Sequence, residues 1–212
     1  MIKNNRHSPP SALSPFKGKA GLVVRLLLSD SQLIWTGRAL AEELGFSQAW
    51  VNRLLDSLAK QGLVQRNSQG TKSQTQLLTT QPLLKKWTAL YNIDQNEQLF
   101  FYHPSKKPLK IIQAAQQKEG FLYALTGYAA VNAIKQTSHH APPMVYLWPQ
   151  KPDEQTFEAL VRKLENVYGF IPVANQANVI LLKPVQKESV FFKSLSVRGM
   201  PLVSAVQLFL DL

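Results

Sequence analysis

The stretch that decides the fold is GFSQAWVNRLLDSLAKQGLVQR, residues 45–66. Gly45 can end one helix, because glycine readily adopts the left-handed backbone found at helix C-termini. Ser47 occupies an N-cap position, where its hydroxyl can accept a hydrogen bond from a free backbone amide. The next helix carries a buried stripe with spacings of three and four, formed by Val51, Leu54, Leu55 and Leu58. The stretch therefore predicts two helices joined by a sharp turn.

The opposite face of the second helix predicts contact with DNA. Gln48, Asn52 and Arg53 lie on its polar side, close to its N-terminal end, and together with Ser47 at the cap they are predicted DNA contacts. In a major groove, glutamine or asparagine can pair with adenine, and arginine can pair with guanine. Trp50 lies beside the buried stripe, where it either packs under the next element or contacts a sugar-phosphate backbone. An ordinary amphipathic helix with a solvated polar face is the alternative that these residues leave open.

A hairpin is predicted directly after this helix. Gly62 ends the helix, and two short extended runs then flank the polar segment SQGTKS, residues 68–73. This hairpin would form a wing, with Arg66, Thr71 and Lys72 near its tip. We expect these three residues to contact the DNA backbone, because cations and hydroxyls commonly bind phosphates.

Two predicted helices precede the motif. Residues 17–29 bury Leu22, Val23, Leu26 and Leu27 and leave Arg25 in solvent, and Thr36 caps a second helix that covers 37–44. The order helix, short strand, helix, helix, hairpin is that of a winged helix-turn-helix. The run from Val51 to Val64 resembles V-x-R-x-L-x-x-L-x-x-x-G-L-V, which marks the third helix and first wing strand of many bacterial winged-helix regulators.

Composition and charge favour a polyanionic partner. The chain has 212 residues and a formal net charge of +11. Residues 1–90 hold 12 basic and 4 acidic residues, and residues 91–212 hold 12 basic and 9 acidic residues. The excess of positive charge therefore lies with the predicted helix-turn-helix, as expected for phosphate contacts. There are no cysteines, which excludes disulfides and is consistent with a cytoplasmic protein.

The sequence predicts an α+β protein of two domains. Residues 1–15 are expected to form a flexible arm, and 16–92 the winged helix-turn-helix with a connecting helix. The polar segment 93–98 is the predicted boundary, and 97–212 a mixed α/β domain with a small sheet. Within this second domain, helices are predicted at 121–135, 153–167 and in a final segment capped by Ser204, strands at 144–148, 178–183 and 189–195, and a basic loop at 104–110.

The second half also resembles a known family. The runs Y-A-L-T-G-x-A-A at 123–130 and P-L-V-S-x-x-Q-L-x-L-D-L at 201–212 resemble the AbiEi family, whose members often continue with another helix. Many of them are winged-helix regulators that act as antitoxins of type IV toxin–antitoxin systems. The resemblance implies a repressor that binds its own promoter, a nucleotidyltransferase-like toxin encoded nearby, and self-association on DNA. A stand-alone regulator with a ligand- or protein-sensing C-terminal domain is the alternative.

No enzyme signature accompanies these patterns. The phosphate-binding glycine motifs, the serine nucleophile elbow and the nucleotidyltransferase signature are absent from the sequence. Asp153 lacks the downstream Glu-x-Lys of a restriction-type nuclease, and the pair His139-His140 lacks further metal ligands. We therefore expect no catalytic site, no cofactor, no metal and no membrane partner.

Overall fold

The computed structural model describes residues 15–67, 73–137 and 140–212. Contacts divide the chain into two compact units, Met1–Lys86 and Trp87–Leu212. The segment 93–98, predicted as the boundary, therefore belongs to the second unit. There Ile93–Gln95 form a short 3-10 helix, and Asn96 is buried. Apart from Pro15, the predicted arm lies outside the described residues. Within those residues no helix is long and apolar enough to cross a membrane.

The N-terminal unit mixes helices with one small antiparallel sheet. Its strand order is β1-β3-β2, with Trp35 opposite Thr75 and Arg66 also opposite Thr75. The order of elements agrees with the sequence expectation. In chain order they are α1 (Gly18–Ser29), β1 (Trp35–Thr36), α2 (Gly37–Leu44), α3 (Gln48–Lys60), β2 (Gln65–Asn67), β3 (Gln74–Gln76) and α4 (Gln81–Thr88), which runs across the division.

The core of this unit is built from the predicted apolar stripes, although Leu22 of α1, predicted to be buried, is only half-buried. Leu26 and Leu27 of α1, Leu40 of α2 and Leu55 of α3 are all buried. Arg25, however, is only 3% exposed, whereas the sequence placed it in solvent. Helix α1 is buried on most of its circumference, so even the charged residue Arg25 lies on a buried face.

The C-terminal unit is built on a seven-stranded mixed sheet of order β7-β4-β8-β6-β5-β10-β9. Helices α5 and α7 pack together, as do α6 and α9. The elements in chain order are β4 (Glu97–Tyr102), α5 (Pro108–Glu119), β5 (Phe121–Thr126), α6 (Gly127–Lys135), β6 (Met144–Pro149), α7 (Phe157–Tyr168), β7 (Ile171–Pro172), β8 (Val179–Lys183), α8 (Lys187–Val190), β9 (Leu195–Val197), β10 (Met200–Leu202) and α9 (Ala205–Asp211).

Three predicted elements of this unit were wrong. Residues 121–135 form strand β5 followed by helix α6, with a break at Gly127, whose φ is +54°. Residues 121–125 are all apolar, exposed Leu122 included, so the strand has no alternating pattern and its apolar run resembles a helix. The strand predicted at 189–195 is largely absent, because Ser189 and Val190 belong to helix α8 and β9 begins only at Leu195. The predicted basic loop 104–110 leads into α5, which begins at Pro108, because proline suits the first turn of a helix.

The remaining elements of the second half were largely confirmed. Strands β6 and β8 lie where they were expected, and Ser204 Oγ accepts a hydrogen bond from the Gln207 amide at 3.3 Å, as predicted for a cap. Helix α7 begins later than predicted. Thr156 caps it by accepting from the Ala159 amide at 3.1 Å.

Candidate nucleic-acid interface

The turn between α2 and α3 is held by side-chain caps and one glycine. Thr36 Oγ1 accepts from the Ala39 amide at 3.0 Å and begins α2. Gly45 ends α2 with φ of +67°, a conformation that costs glycine little. Ser47 Oγ then accepts from the Trp50 amide at 3.3 Å and begins α3. The three local predictions are confirmed, and the Ser47 hydroxyl is committed to its own helix.

Helix α3 has one fully buried face and one solvent face. Val51, Leu54, Leu55 and Leu58 are each at most 5% exposed, as their spacing predicted. On the other side Gln48 and Arg53 are exposed, whereas Asn52 and Trp50 are half-buried. The N-terminal part of α3 therefore presents one amide and one guanidinium to solvent.

Arg66 binds α3 instead of pointing away from it. Its Nη1 donates to the Asn52 carbonyl and to Asp56 Oδ1, both at 2.7 Å. Its Nη2 donates to Asn52 Oδ1 at 2.7 Å and to Ser73 Oγ at 3.1 Å. The Arg66 side chain is only 7% exposed. We call Arg66, Asn52, Asp56 and Ser73 the Arg66 clamp. Arg66, predicted as a phosphate ligand, thus links the hairpin to helix α3 through hydrogen bonds.

The clamp also fixes the carboxamide of Asn52 against α2. A Cβ atom added at Gly37 would lie 1.9 Å from Asn52 Oδ1, so the first residue of α2 leaves room for this side chain. The oxygen that the sequence assigned to adenine is thus bonded to Arg66 and packed over Gly37. No local sequence pattern could reveal this arrangement, because Arg66 lies 14 residues from Asn52 and reaches it only when the hairpin folds back.

Trp50 belongs to a small aromatic group on the turn. Its ring meets Phe46 edge to face, with centroids 5.5 Å apart, and Lys19 Nζ lies 5.3 Å from the Phe46 centroid. Such contacts anchor the indole beside the helix. Thr71 and Lys72, the other predicted contacts, lie outside the described residues.

The N-terminal unit carries several exposed cations besides Arg53. Lys17, Lys19 and Lys60 are exposed, as are Lys85 and Lys86. Arg38 is also exposed, and its Nε pairs with Glu42 at 2.8 Å. Lysine side chains of this kind are flexible point charges that can neutralise phosphates without fixed geometry.

The C-terminal unit contains a buried polar cluster that sequence reasoning missed. The Asp211 carboxylate accepts from Tyr91 Oη at 2.6 Å, Thr126 Oγ1 at 2.5 Å and Tyr146 Oη at 3.2 Å. It also accepts from Gln207 Nε2 at 2.7 Å. Burial raises the pKa of Asp211 above its ordinary value, although these donors act in the opposite direction. The only signal in the sequence was one acidic residue within the apolar run PLVSAVQLFLDL.

This cluster holds the sheet and the last helix together. Tyr146 Oη lies 3.1 Å from Tyr91 Oη, and Asn96 Nδ2 donates to Tyr146 Oη at 3.2 Å. Burial also raises the pKa of Tyr146 and of Tyr91, so both phenols keep their protons. Since every polar atom discussed here has a partner within the fold, the cluster has the character of a structural network.

Within the described residues no group of three or more His, Asp or Glu side chains is placed to hold a metal ion. His140 is exposed, and His139 lies outside those residues. Comparisons of the chain with family models, curated proteins and solved structures found no match.

Proposed function

We propose that the N-terminal unit is a winged helix-turn-helix that binds double-stranded DNA through the first two turns of α3. One observation carries this proposal. The capped start of α3 presents Gln48 and Arg53 to solvent, while the Arg66 clamp fixes the following hairpin beside it. An exposed helix start that carries these side chains suits the major groove. The exposed lysines of this unit suit contacts with phosphates.

We assign the predicted contacts to two roles. Gln48 and Arg53 are the proposed base-edge contacts, because their side chains are exposed. Asn52 and Arg66 are positioning residues, because their polar groups are bonded to each other. Thr71 and Lys72 keep their predicted role at the DNA backbone.

We further propose that the protein is a cytoplasmic transcriptional repressor that acts as the antitoxin of a type IV toxin–antitoxin system. The resemblance of residues 123–130 and 201–212 to the AbiEi family supports this part. The partner would be a nucleotidyltransferase-like toxin encoded nearby. Co-expression with that toxin should restore growth, and a full-length chain that gives no protection would remove the antitoxin role. The stand-alone regulator would then remain.

DNA binding is tested by fluorescence anisotropy on a duplex of the promoter and on a scrambled duplex. One lost base contact costs ~1–3 kcal/mol, so Gln48→Ala and Arg53→Ala should each weaken promoter binding by ~5- to 150-fold and scrambled binding much less. Glu43→Gln, at an exposed position of α2, is the control and should retain discrimination. Wild-type affinity and discrimination in both α3 variants would show that α3 does not read bases.

The salt dependence tests the phosphate part separately. For ~4–6 neutralised phosphates per protomer, the slope of log K against log salt should be about −4 to −5. A slope near zero on duplex DNA would refute the nucleic-acid function as a whole.

A further inference from the structure

Strand β4 has an edge that is paired over only part of its length. β7 pairs with Phe101 and Tyr102 alone, and the Val173 amide donates to the Phe100 carbonyl at 3.0 Å. The opposite edge of β4 is paired with β8 along Glu97–Phe101. Successive residues of a strand direct their backbone groups to alternate sides. Gln98, like Phe100, therefore directs its N–H and C=O away from β8, and no strand of the described residues pairs with it there.

A groove runs beside this open edge, between β4 and α7. It consists of two adjoining cavities of about 250 and 400 Å³, both lined by Leu99 and Val161. Phe157 completes the apolar wall of the first cavity, and Pro172 and Val173 contribute to the second. On the other face of the strand, Phe100 is 44% exposed. A strand added at this edge would thus meet apolar surface on both of its faces.

The rim of the groove is acidic, although the whole chain carries a net charge of +11. Glu97, Glu158 and Glu165 line the two cavities, where Arg162 is the only cationic side chain among the described residues. Lys183 pairs with Glu97 at 3.6 Å and with Glu158 at 2.5 Å. Glu165 is half-buried and makes no ion pair within the described part of the chain. A cation from outside the protein would complete this rim.

We propose that the open edge of β4 binds an extended peptide segment of a partner protein, which adds as a strand beside Glu97–Phe100. Main-chain hydrogen bonds to Gln98 would supply affinity, as in other cases of strand addition. An apolar side chain would enter the groove at Leu99 and Val161. A neighbouring lysine or arginine would pair with Glu165. The stretch of β4 without a partner strand on this side, Glu97–Phe100, covers ~13 Å, enough for a short motif. Within it Gln98 offers both main-chain groups, whereas the Phe100 carbonyl already accepts from the Val173 amide.

The experiment selects ligands from a random dodecapeptide phage library on the full-length wild-type chain. Enriched peptides are synthesised with a fluorophore, and their binding is measured by anisotropy. Gln98→Pro removes an N–H that points away from β8, as proline does on edge strands, together with the exposed hydrogen bond from Gln98 Nε2 to Asp94 Oδ1. Glu165→Lys reverses the unpaired charge of the rim. Glu154→Lys is the matched control, because it makes the same charge change at an exposed site that lines neither cavity.

The expected result is a shared motif of an apolar residue next to lysine or arginine. Binding should weaken at least ~10-fold in Gln98→Pro and Glu165→Lys, the scale of one well-buried contact, and stay unchanged in Glu154→Lys. Hydrogen exchange should slow at Gln98. If Gln98→Pro loses the wild-type circular dichroism spectrum, Glu165→Lys decides the question.

Three results would overturn the proposal. The first is no enrichment over an unrelated bait. The second is equal binding by wild type and both groove variants. The third is a wild-type dimer in sedimentation that Gln98→Pro or Glu165→Lys dissociates, because a second copy would then be the occupant of the edge.

Discussion

Replacement of Arg66 by leucine should loosen the hairpin from α3 without removing a phosphate contact. The lost interactions are two bonds of 2.7 Å to Asn52, one of 2.7 Å to Asp56 and one of 3.1 Å to Ser73. Asp56 is 56% exposed, so its ion pair contributes little, about 0–1 kcal/mol. The bonds to Asn52 come from a charged donor that is nearly buried. We expect a total loss of ~2–3 kcal/mol.

Hydrogen exchange measured by mass spectrometry on the intact chain is the appropriate assay, because two compact units need not unfold together. A loss of ~2–3 kcal/mol should speed the exchange of amides in β2 and β3 by ~30- to 150-fold. Asp56→Ala should speed it by no more than ~5-fold, since that pair is largely solvated. Amides of the C-terminal unit provide the internal control.

The salt dependence of DNA binding then separates a positioning role from direct contact. If Arg66 holds the hairpin, Arg66→Leu should lower affinity while the slope of log K against log salt is kept. A residue that neutralises a phosphate would shrink the slope by about one. Exchange rates within ~3-fold of wild type, together with a slope reduced by one, would refute the clamp and restore Arg66 as a phosphate ligand.

Two further predictions concern buried polar groups. Because burial raises the folded-state pKa of Asp211, its protonated form stabilises the fold, and this stabilisation is complete below the ordinary pKa and lost as pH rises through the folded-state value. In urea titrations the stability advantage of wild type over Asp211→Asn should therefore shrink as pH rises from ~4; an advantage that grows would contradict the sign. Gly37→Ala should destabilise the N-terminal unit by ~1–2 kcal/mol, because its Cβ displaces Asn52 from Arg66. Asn52→Ala in the same chain should remove most of this penalty. If the two losses in the free energy of unfolding were strictly additive, the added Cβ at position 37 would not contact the Asn52 side chain.

The sequence predicted those features that depend on residues close together in the chain. Caps at Thr36, Ser47 and Ser204 were predictable, because they join residues three positions apart. The buried stripe of α3 was also predictable, since its period is local. The partners of Arg66 were not predictable, because an arginine can serve equally as an exposed phosphate ligand or as a buried link between two elements. Strand β5 was mistaken for helix, because its residues 121–125 are apolar on both faces and lack the alternation that distinguishes a strand from a helix.

The small exposed face of α3 has a consequence for stoichiometry. Under the proposed function, and with Asn52 held in the clamp, each protomer would offer two base-reading side chains, Gln48 and Arg53, worth ~1–3 kcal/mol each. Specific DNA binding usually exceeds non-specific binding by ~4–10 kcal/mol. One protomer would supply ~2–6 kcal/mol of this difference, so selection of a promoter favours two copies on one site.

We therefore expect the promoter to contain two half-sites about one helical turn, ~34 Å, apart or a multiple of it. Binding to this duplex should be cooperative, and native mass spectrometry should show two protomers per duplex. Insertion of five base pairs, about half a turn, between the half-sites should place the second copy on the opposite side of the DNA and abolish cooperativity. Insertion of ten base pairs, about one full turn, returns the second copy to the same side of the DNA and serves as the control. A single protomer that binds the promoter with full discrimination would show that residues beyond Gln48 and Arg53 read the sequence.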